Sequence, residues 1–480
     1  MGQLTRRDFL KSSAAAAATA GAAFAISGTK ASCSVLGAND RIRIAVAGVN
    51  GRGKSHIDEF AKMRNVEVAY IVDPDTRLFE RTTKRVADIQ GKAPQPVQDI
   101  RQVLDDDSIN AISIATPNHW HSLMAIWACQ ADKDVYVEKP LSHNVHEGRV
   151  LVQAARKHER IVQHGTQSRS DGRWNQIANV IKAGHYGPLK VARGVCYKRR
   201  DSIGFKETGS PPSELDFNLW LGPASEQPYH ANLVHYNWHW FWDFGNGDIG
   251  NQGVHQMDIA RWGIPGATLP KSVLCVGGRF GYEDQGETPN TQVAVFDYGE
   301  TQLIFEVRGL VPRNNITDMF HFEDGTIKED GRFYKKGSKE GEALPEVADT
   351  RGPGGSNHFG NFIEAVRSRK PADLNAEVED GHYSSALCHL ANVSYRLGKE
   401  APLDAGSGVF EGNAAAEETF ESMKEHLARE NNIKLEGQSF RLGRFLKFDA
   451  KSESFVNDKE ASQLLFRNYR QPFAVPEKLA

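Results

Sequence analysis

The sequence predicts an α/β protein: a doubly wound parallel sheet first, then an α/β domain with an open, largely antiparallel sheet. Three observations carry this. Arg41 to His56 reads RIRIAVAGVNGRGKSH, an apolar strand that runs into a glycine turn and a helix. From there to about residue 164, strands and helices alternate at the short spacing that crossovers between parallel strands require. Beyond Gly165 the pattern becomes period-two strands with hairpin-type turns and wide connections.

The bulk numbers agree with two domains, since 480 residues exceed one ordinary core. With 40% hydrophobic and 25% charged residues and a formal net charge of -3, nothing electrostatic argues for nucleic acid or an anionic membrane as partner. The five cysteines, Cys33, Cys129, Cys196, Cys275 and Cys388, lie far apart without CxxC or zinc spacing. They read as buried apolar residues.

Residues 1–32 read as an address and stand outside the fold. Thr5-Arg6-Arg7-Asp8-Phe9-Leu10-Lys11 resembles the twin-arginine export signal, and a weakly apolar, alanine-rich run follows from Ala14 to Ile26. That run is short and Ala/Gly-rich for a bilayer span. Lys30 stands where a lipoprotein signal before Cys33 would want an apolar residue. The expected destination is periplasmic or otherwise extracytoplasmic, without a stable membrane anchor.

The first domain is expected over residues 41–164. In Arg41–His56, Ile42, Ile44, Val46 and Val49 supply a strand buried on both faces, and Gly48, Gly51 and Gly53 form the turn. Strand, turn and helix together present backbone N–H groups and a positive helix end to a pyrophosphate. A second strand, Val66 to Val72, ends in Asp73, 20 residues past Gly53, where a dinucleotide fold keeps a carboxylate for the ribose hydroxyls. A charged helix (77–89), a short helix (99–104) and a strand (111–115) lead to Thr116-Pro117-Asn118-His119-Trp120-His121. A helix from Ser122 to Ala131 and a strand from Asp134 to Val137 lead to Glu138-Lys139-Pro140. Both polar clusters fall at carboxyl ends of strands, where such sheets bind ligands. A helix (145–157) and a strand near 161–164 close the domain.

The second domain is expected over 165–400, with strands at 189–197, 271–280, 291–298 and 302–307 and amphipathic helices at 358–369 and 381–397. Residues 401–480 read as a charged, patchily helical extension packed over the body.

In order and spacing, the glycine turn, Asp73, the Thr116–His121 cluster and Glu138-Lys139-Pro140 resemble the Gfo/Idh/MocA oxidoreductases, named for glucose-fructose oxidoreductase and inositol dehydrogenase. The resemblance runs over about residues 41–400. It implies a Rossmann domain followed by an α/β domain that binds substrate and often forms oligomers, so a homo-oligomer is expected. It implies NAD, or NADP, bound by Gly48, Asn50, Gly51, Arg52, Gly53, Asp73, Thr116, Pro117, Asn118, His121, Glu138 and Lys139; because free nicotinamide is scarce outside the cytoplasm, tight binding is expected. Asp73 favours NAD by repelling a 2′-phosphate, a preference that the nearby Arg77 would soften.

Lys139 ends a buried strand and precedes a proline, a setting in which a lysine loses basicity and exchanges protons. By resemblance it bonds the substrate oxygen beside the nicotinamide. The family also places an Asp and a His four residues apart in the second domain. Here His255 fits the histidine and Asn251 stands where the aspartate usually is. An amide orients a hydroxyl but takes no proton as a base, so the proton work is expected at His255 and Lys139. Asp258 either steadies His255 or pairs structurally, and no third metal ligand accompanies the two. Trp238 and Trp240, in Tyr236–Phe244, read as stacking faces for a sugar ring. Gln167 and Arg169, with Arg173, face the same cleft in family terms, and His119 reads as structural.

These residues lead to an exported NAD(P)-dependent oxidoreductase that moves a hydride to or from a secondary alcohol of a sugar, cyclitol or glycoside. The alternatives are an NAD-dependent glycosidase acting by transient oxidation and elimination, and a non-catalytic sugar-binding protein.

Overall fold

The computed structural model describes residues 41–404, 408–410 and 412–479. The segment read as an export signal and Cys33 lie outside these residues.

Six strands form the first sheet: β1 (Ile42–Ala47), β2 (Val66–Val72), β3 (Gln95–Val97), β4 (Ala111–Ile114), β5 (Asp134–Val137) and β6 (Val162–His164). Their order is β3-β2-β1-β4-β5-β6, parallel throughout. The connections carry α1 (Gly53–Lys62), α2 (Phe79–Gln90), α3 (Arg101–Leu104), α4 (Asn118–Gln130) and α5 (Val145–Lys157). Every residue of β4 and β5 is buried, as a sheet covered on both faces demands. The direction of strand order reverses between β1 and β4, which opens a crevice at their carboxyl ends. Local chemistry sets the helix ends. Gly91 closes α2 in the left-handed region at φ 77°. Asn144 caps α5 by accepting from the Glu147 N–H at 2.9 Å, while Glu147 accepts from the His143 N–H at 2.8 Å.

One boundary differs from the sequence expectation in a way that matters. Helix α4 begins at Asn118 rather than Ser122, so Asn118, His119 and His121 occupy its first turn instead of a loop. Pro117 immediately precedes it, and no capping residue had marked the start.

The second part of the chain contains α6 (Gly172–Lys182), β7 (Val191–Tyr197), β8 (Thr208–Gly209), α7 (Phe217–Leu221), β9 (Tyr229–His230), α8 (Gly247–Asn251) and α9 (Gly253–Gly263). Next come β10 (Ser272–Gly278), β11 (Thr291–Asp297), β12 (Gln302–Arg308), β13 (Asn315–His321), β14 (Gly325–Ile327), β15 (Arg332–Lys335) and β16 (Gly341–Ala343). The helices α10 (His358–Ser368) and α11 (Val378–Arg396) precede β17 (Lys399–Pro402), α12 (Ala414–Glu425), β18 (Ser439–Leu442), β19 (Leu446–Asp449), β20 (Ser454–Phe455) and α13 (Lys459–Gln463). Apart from the β8–β9 pair, these strands build one large sheet, β16-β15-β14-β13-β7-β12-β11-β10-β18-β17, with β19 and β20 attached at β10. Its pairings are antiparallel except β7 with β12.

One face of this sheet packs on α6, α9 and α11 through Ile177, Met257, Leu387, Phe305 and Phe320, among others. The other face is covered by the C-terminal extension, which was expected to pack over the body. Val276, Val293 and Ile304 are covered by Phe410, Phe420, Met423, Leu427 and Phe440 from beyond residue 401. That extension also gives β18–β20 to the sheet, so it is part of the domain and not only a cover.

Packing also crosses the expected division at residue 164. Phe359 and Phe362 of α10 enter the core under β1 and α1, where Phe359 stacks on Tyr136 at 4.8 Å. Near the C-terminus Phe473 wedges beside Trp120 and Trp127 at 5.5 and 6.3 Å. Arg470 donates to the backbone carbonyls of Asn218 and Gly222. A Phe473→Ala variant loses this wedge, and a cost of about 3 kcal/mol is expected. Denaturant unfolding followed by tryptophan fluorescence reads it, since both flanking indoles sense the cavity; an unchanged midpoint contradicts the strap.

Candidate active site

A cavity of about 520 Å³ runs from the glycine turn, along the carboxyl ends of β1 and β4, to α8 and α9 of the second part. Its dinucleotide end is shaped by sterics. Gly48 has φ +81°, and a Cβ there would lie 2.5 Å from the Ala115 carbonyl oxygen. A Cβ on Gly53 would lie 2.0 Å from the Gly48 carbonyl oxygen. Gly51 has nothing within 4 Å of the same position and lines the cavity with Asn50 and Arg52. Two glycines therefore close the turn, and the middle one leaves backbone open to a ligand. No side chain caps α1; the Lys54 and Ser55 N–H groups close the turn on the Gly51 and Arg52 carbonyls at 3.1 and 2.9 Å, and the positive end of the helix faces the cavity.

Asp73 accepts the Val49 N–H at 3.0 Å and the Asp75 N–H at 3.1 Å. Burial pushes its carboxyl up to about 6 despite these bonds. Arg77, expected to soften the choice against a 2′-phosphate, is held by Asp75 at 2.8 and 2.6 Å and does not line the cavity. The same Asp75 lies 2.8 Å from His235 Nε2.

At the carboxyl end of β4, Thr116, Pro117, Asn118 and His121 line the cavity. The Thr116 hydroxyl is buried there without a partner among the described residues. His121 Nδ1 and Nε2 lie 2.6 and 2.8 Å from the carbonyl oxygens of Pro140 and Thr116; burial lowers its pKa against these two acceptors. His119 points away, its Nε2 donating to the Trp220 carbonyl at 3.0 Å.

Glu138, at the end of β5, lines the cavity but spends its oxygens on protein. Its Oε1 accepts from Arg52 Nε at 2.9 Å, His56 Nε2 at 3.1 Å and Gln167 Nε2 at 3.0 Å; its Oε2 accepts from the Lys139 N–H at 3.3 Å. Burial raises its pKa, but the His56 hydrogen bond and the Arg52 and Lys139 charges outweigh burial and hold it well below the carboxylate range. His56 is kept neutral by its own burial, a state in which it donates to Glu138 and accepts from Ser113 Oγ at 2.8 Å. Lys139 Nζ donates to the Asn251 carbonyl at 2.6 Å. Desolvation lowers its pKa, against the pull of Glu138.

The second part of the chain closes the far end with Gln167, Lys198, Trp238, His239, Asn251, Gln252 and His255. His255 is drawn down to about 3, first by burial and then by the Lys139 charge. Its ring, like the Asn251 amide, carries no hydrogen bond among the described residues. Trp238 lies in a short 3-10 turn, Asn237–Trp240, stacked on His239 at 3.6 Å between ring centres. Lys198, Gln252 and His235 were not anticipated. Lys198 follows the end of β7, and that place at a strand end is its one signal. The other two carry no local signal.

Two expected contacts lie elsewhere. Arg169 turns from the cavity into a buried ion pair with Asp258, at 2.9–3.0 Å, and reaches Asp380 at 3.2 Å. This also places Asp258, which accepts from Ser384 Oγ at 2.6 Å and pairs structurally instead of steadying His255. Trp240 is buried under Arg200 at 5.0 Å and takes no part in the lining; Asn237–Trp240 is a 3-10 turn, whereas an extended strand would have put both indoles on one face. Arg173 is exposed.

Residues 42–166 match the NAD-binding Rossmann fold of the Gfo/Idh/MocA oxidoreductase family, and residues 176–273 match a C-terminal α/β domain of that family. Residues 3–23 match the twin-arginine translocation signal, which directs export to the periplasm or beyond. A glycosyl hydrolase family 109 protein of Shewanella sp. (strain ANA-3) is 28% identical over 213 residues, covering 39% of this chain and 45% of that protein. An alpha-N-acetylgalactosaminidase of Shewanella oneidensis is 28% identical over 157 residues, covering 31% of this chain and 33% of its own length. The chain thus spans less than half the length of the curated relatives it matches. Among solved structures, the WlbA dehydrogenase of Bordetella pertussis, in complex with NADH and UDP-GlcNAcA, aligns with a TM-score of 0.56 at 18% identity over 73% of this chain and 96% of that one. Levoglucosan dehydrogenase, in complex with NADH and levoglucosan, aligns at 0.53 and 18%, over 73% and 97%. At these identities the likeness is one of fold.

A Gly53→Ala variant tests the turn. Its methyl group has backbone on the facing side, so loss of nucleotide binding is expected, by equilibrium dialysis, while Gly51→Ala folds without a clash. Equal binding by Gly53→Ala and the parent would contradict the steric account.

Proposed function

From its membership of the Gfo/Idh/MocA oxidoreductase family, behind a twin-arginine export signal, we propose that this chain is an NAD-dependent oxidoreductase acting on a secondary alcohol of a sugar, cyclitol or glycoside. The observation that carries the reading is one continuous cavity joining the glycine turn to Lys139 and His255. The chain's own features suit a dinucleotide: a cradle that a Cβ would fill, an uncapped helix start and an orphaned Thr116 hydroxyl. Asp73 would take the ribose hydroxyls, and with Arg77 engaged by Asp75, NAD is preferred over NADP. When bound, the nicotinamide supplies a hydride acceptor or donor.

The remaining work belongs to side chains. Glu138 fixes the backbone at Lys139, and the Asn251 carbonyl holds its ammonium at the cavity wall. Lys139, with its pKa lowered by burial, exchanges the hydroxyl proton at Nζ. His255, neutral through the physiological range, accepts a hydrogen bond and orients the alcohol, with the Asn251 amide beside it. The proton burden therefore falls more on Lys139 than on His255. Trp238 offers an aromatic edge to the ring.

A second reading is favoured by the names of the curated relatives: a glycosidase that oxidises its glycoside transiently, eliminates the aglycone, adds water across the resulting unsaturated ketone and reduces the product with the same tightly held cofactor. Export fits both readings, since free nicotinamide cofactors are scarce outside the cytoplasm. A homo-oligomer, also proposed, must use a surface other than the sheet face that residues beyond 401 occupy.

Glycosides deuterated at single ring carbons test the proposal. Deuterium should appear on the nucleotide, aglycone release marking the glycosidase route, and oxidation should speed up as pH rises and Lys139 loses its proton. In Lys139→Ala turnover should fall about a thousand-fold or more, with the pH limb gone and nucleotide still bound. Retained turnover in that variant overturns the assignment of Lys139.

A further inference from the structure

The substrate end of the cavity has a charge that the reaction does not use. Lys198, just past β7, is half-buried in the lining, and its Nζ donates to Gln252 Oε1 at 3.1 Å. No carboxylate pairs with it among the described residues. Lys139 is anchored on the adjacent residue, Asn251, and the Lys198 charge is one of those that depress its pKa. Two ammonium groups are thus held by consecutive residues, each on a neutral oxygen.

The carboxylates nearby are engaged. Glu138 is taken by Arg52 and His56, and Asp248 is chelated by Arg200 at 2.9 and 2.6 Å. His255 and His239 are both drawn down to about 3 by burial and carry no charge at neutral pH. Asp73 and Asp99, the other acids of the lining, stand at the opposite end, after β2 and β3. The Asn251 amide adds no negative charge either. A partly desolvated ammonium without a counter-ion is costly and attracts an anion from the ligand.

We propose that Lys198 recognises an anionic substituent, a carboxylate or a sulfate ester, on the sugar that this cavity receives, so that the preferred substrates are acidic glycosides. The inference rests on the reading of this cavity as the sugar site of an oxidoreductase. Lys139 then handles the reacting hydroxyl, and Lys198 sets which sugars reach it.

The test is calorimetric titration of the mature protein with three matched ligands: a methyl β-glycoside, its uronide and its 6-sulfate, in the gluco and galacto series. At least one acidic ligand should bind about ten-fold or more tightly than its neutral partner, less so at high salt. In Lys198→Gln that ratio should fall to about one, and Lys198→Arg should keep it, which separates a charge effect from misfolding. Equal binding of neutral and acidic ligands, a preference that survives Lys198→Gln, or no binding of any of them overturns the proposal. Nucleotide content is measured on the same samples. A nucleotide-loaded protein without preference removes only the acidic substrate, whereas an empty protein that keeps the preference removes the oxidoreductase reading instead.

Discussion

The buried Glu138 carboxylate is the point at which the parts of this molecule meet. It sits at the carboxyl end of β5 and receives Arg52 from the glycine turn, His56 from α1 and Gln167 from the start of the second part. The Gly165 position is packed against it so closely that a Cβ would lie 2.9 Å from the Glu138 Cα. A buried charge of this kind persists only while its partners remain, and removal of one from such a set costs about 3–5 kcal/mol. The turn, the helix start and the backbone of Lys139 are therefore fixed together. What the cavity needs, a rigid cofactor end beside an exactingly placed lysine, follows from one carboxylate in its lining whose oxygens are held by protein groups.

Much of the fold could be read from the sequence because the first sheet is buried on both faces. Ile42, Ile44, Val46 and the run at Asp134–Val137 are strands of a kind that leaves little room for another assignment. Lys139 and His255 were legible because they follow strand and helix ends whose position the resemblance supports. Arg169 was not, since nothing in its local sequence shows that Asp258, 89 residues away, would claim its guanidinium. Trp238 and Trp240 were separated by a backbone turn that period-two alternation does not foresee. Lys198 follows a strand of the second sheet, and nothing in its local sequence tells that this strand end opens on the cavity.

The C-terminal extension was the least legible part, for a physical reason. Its strands are two to four residues long, too short to print a period, and their stability comes from pairing with β10 and β17. Once placed, Phe420 and Phe440 cover the outer face of the large sheet, and Phe473 braces Trp120, which itself lines the cavity. The chain thus reaches back over its own length to stiffen a wall of the site that residues between Ala47 and His255 line.

The central claim is that this cavity holds a nicotinamide dinucleotide as a resident group. The direct measurement is to purify the exported, mature protein, denature it and weigh what is released. The account predicts NAD(H) in amounts stoichiometric with the chain. A protein that releases none, and binds neither NAD nor NADP when they are added, would contradict it.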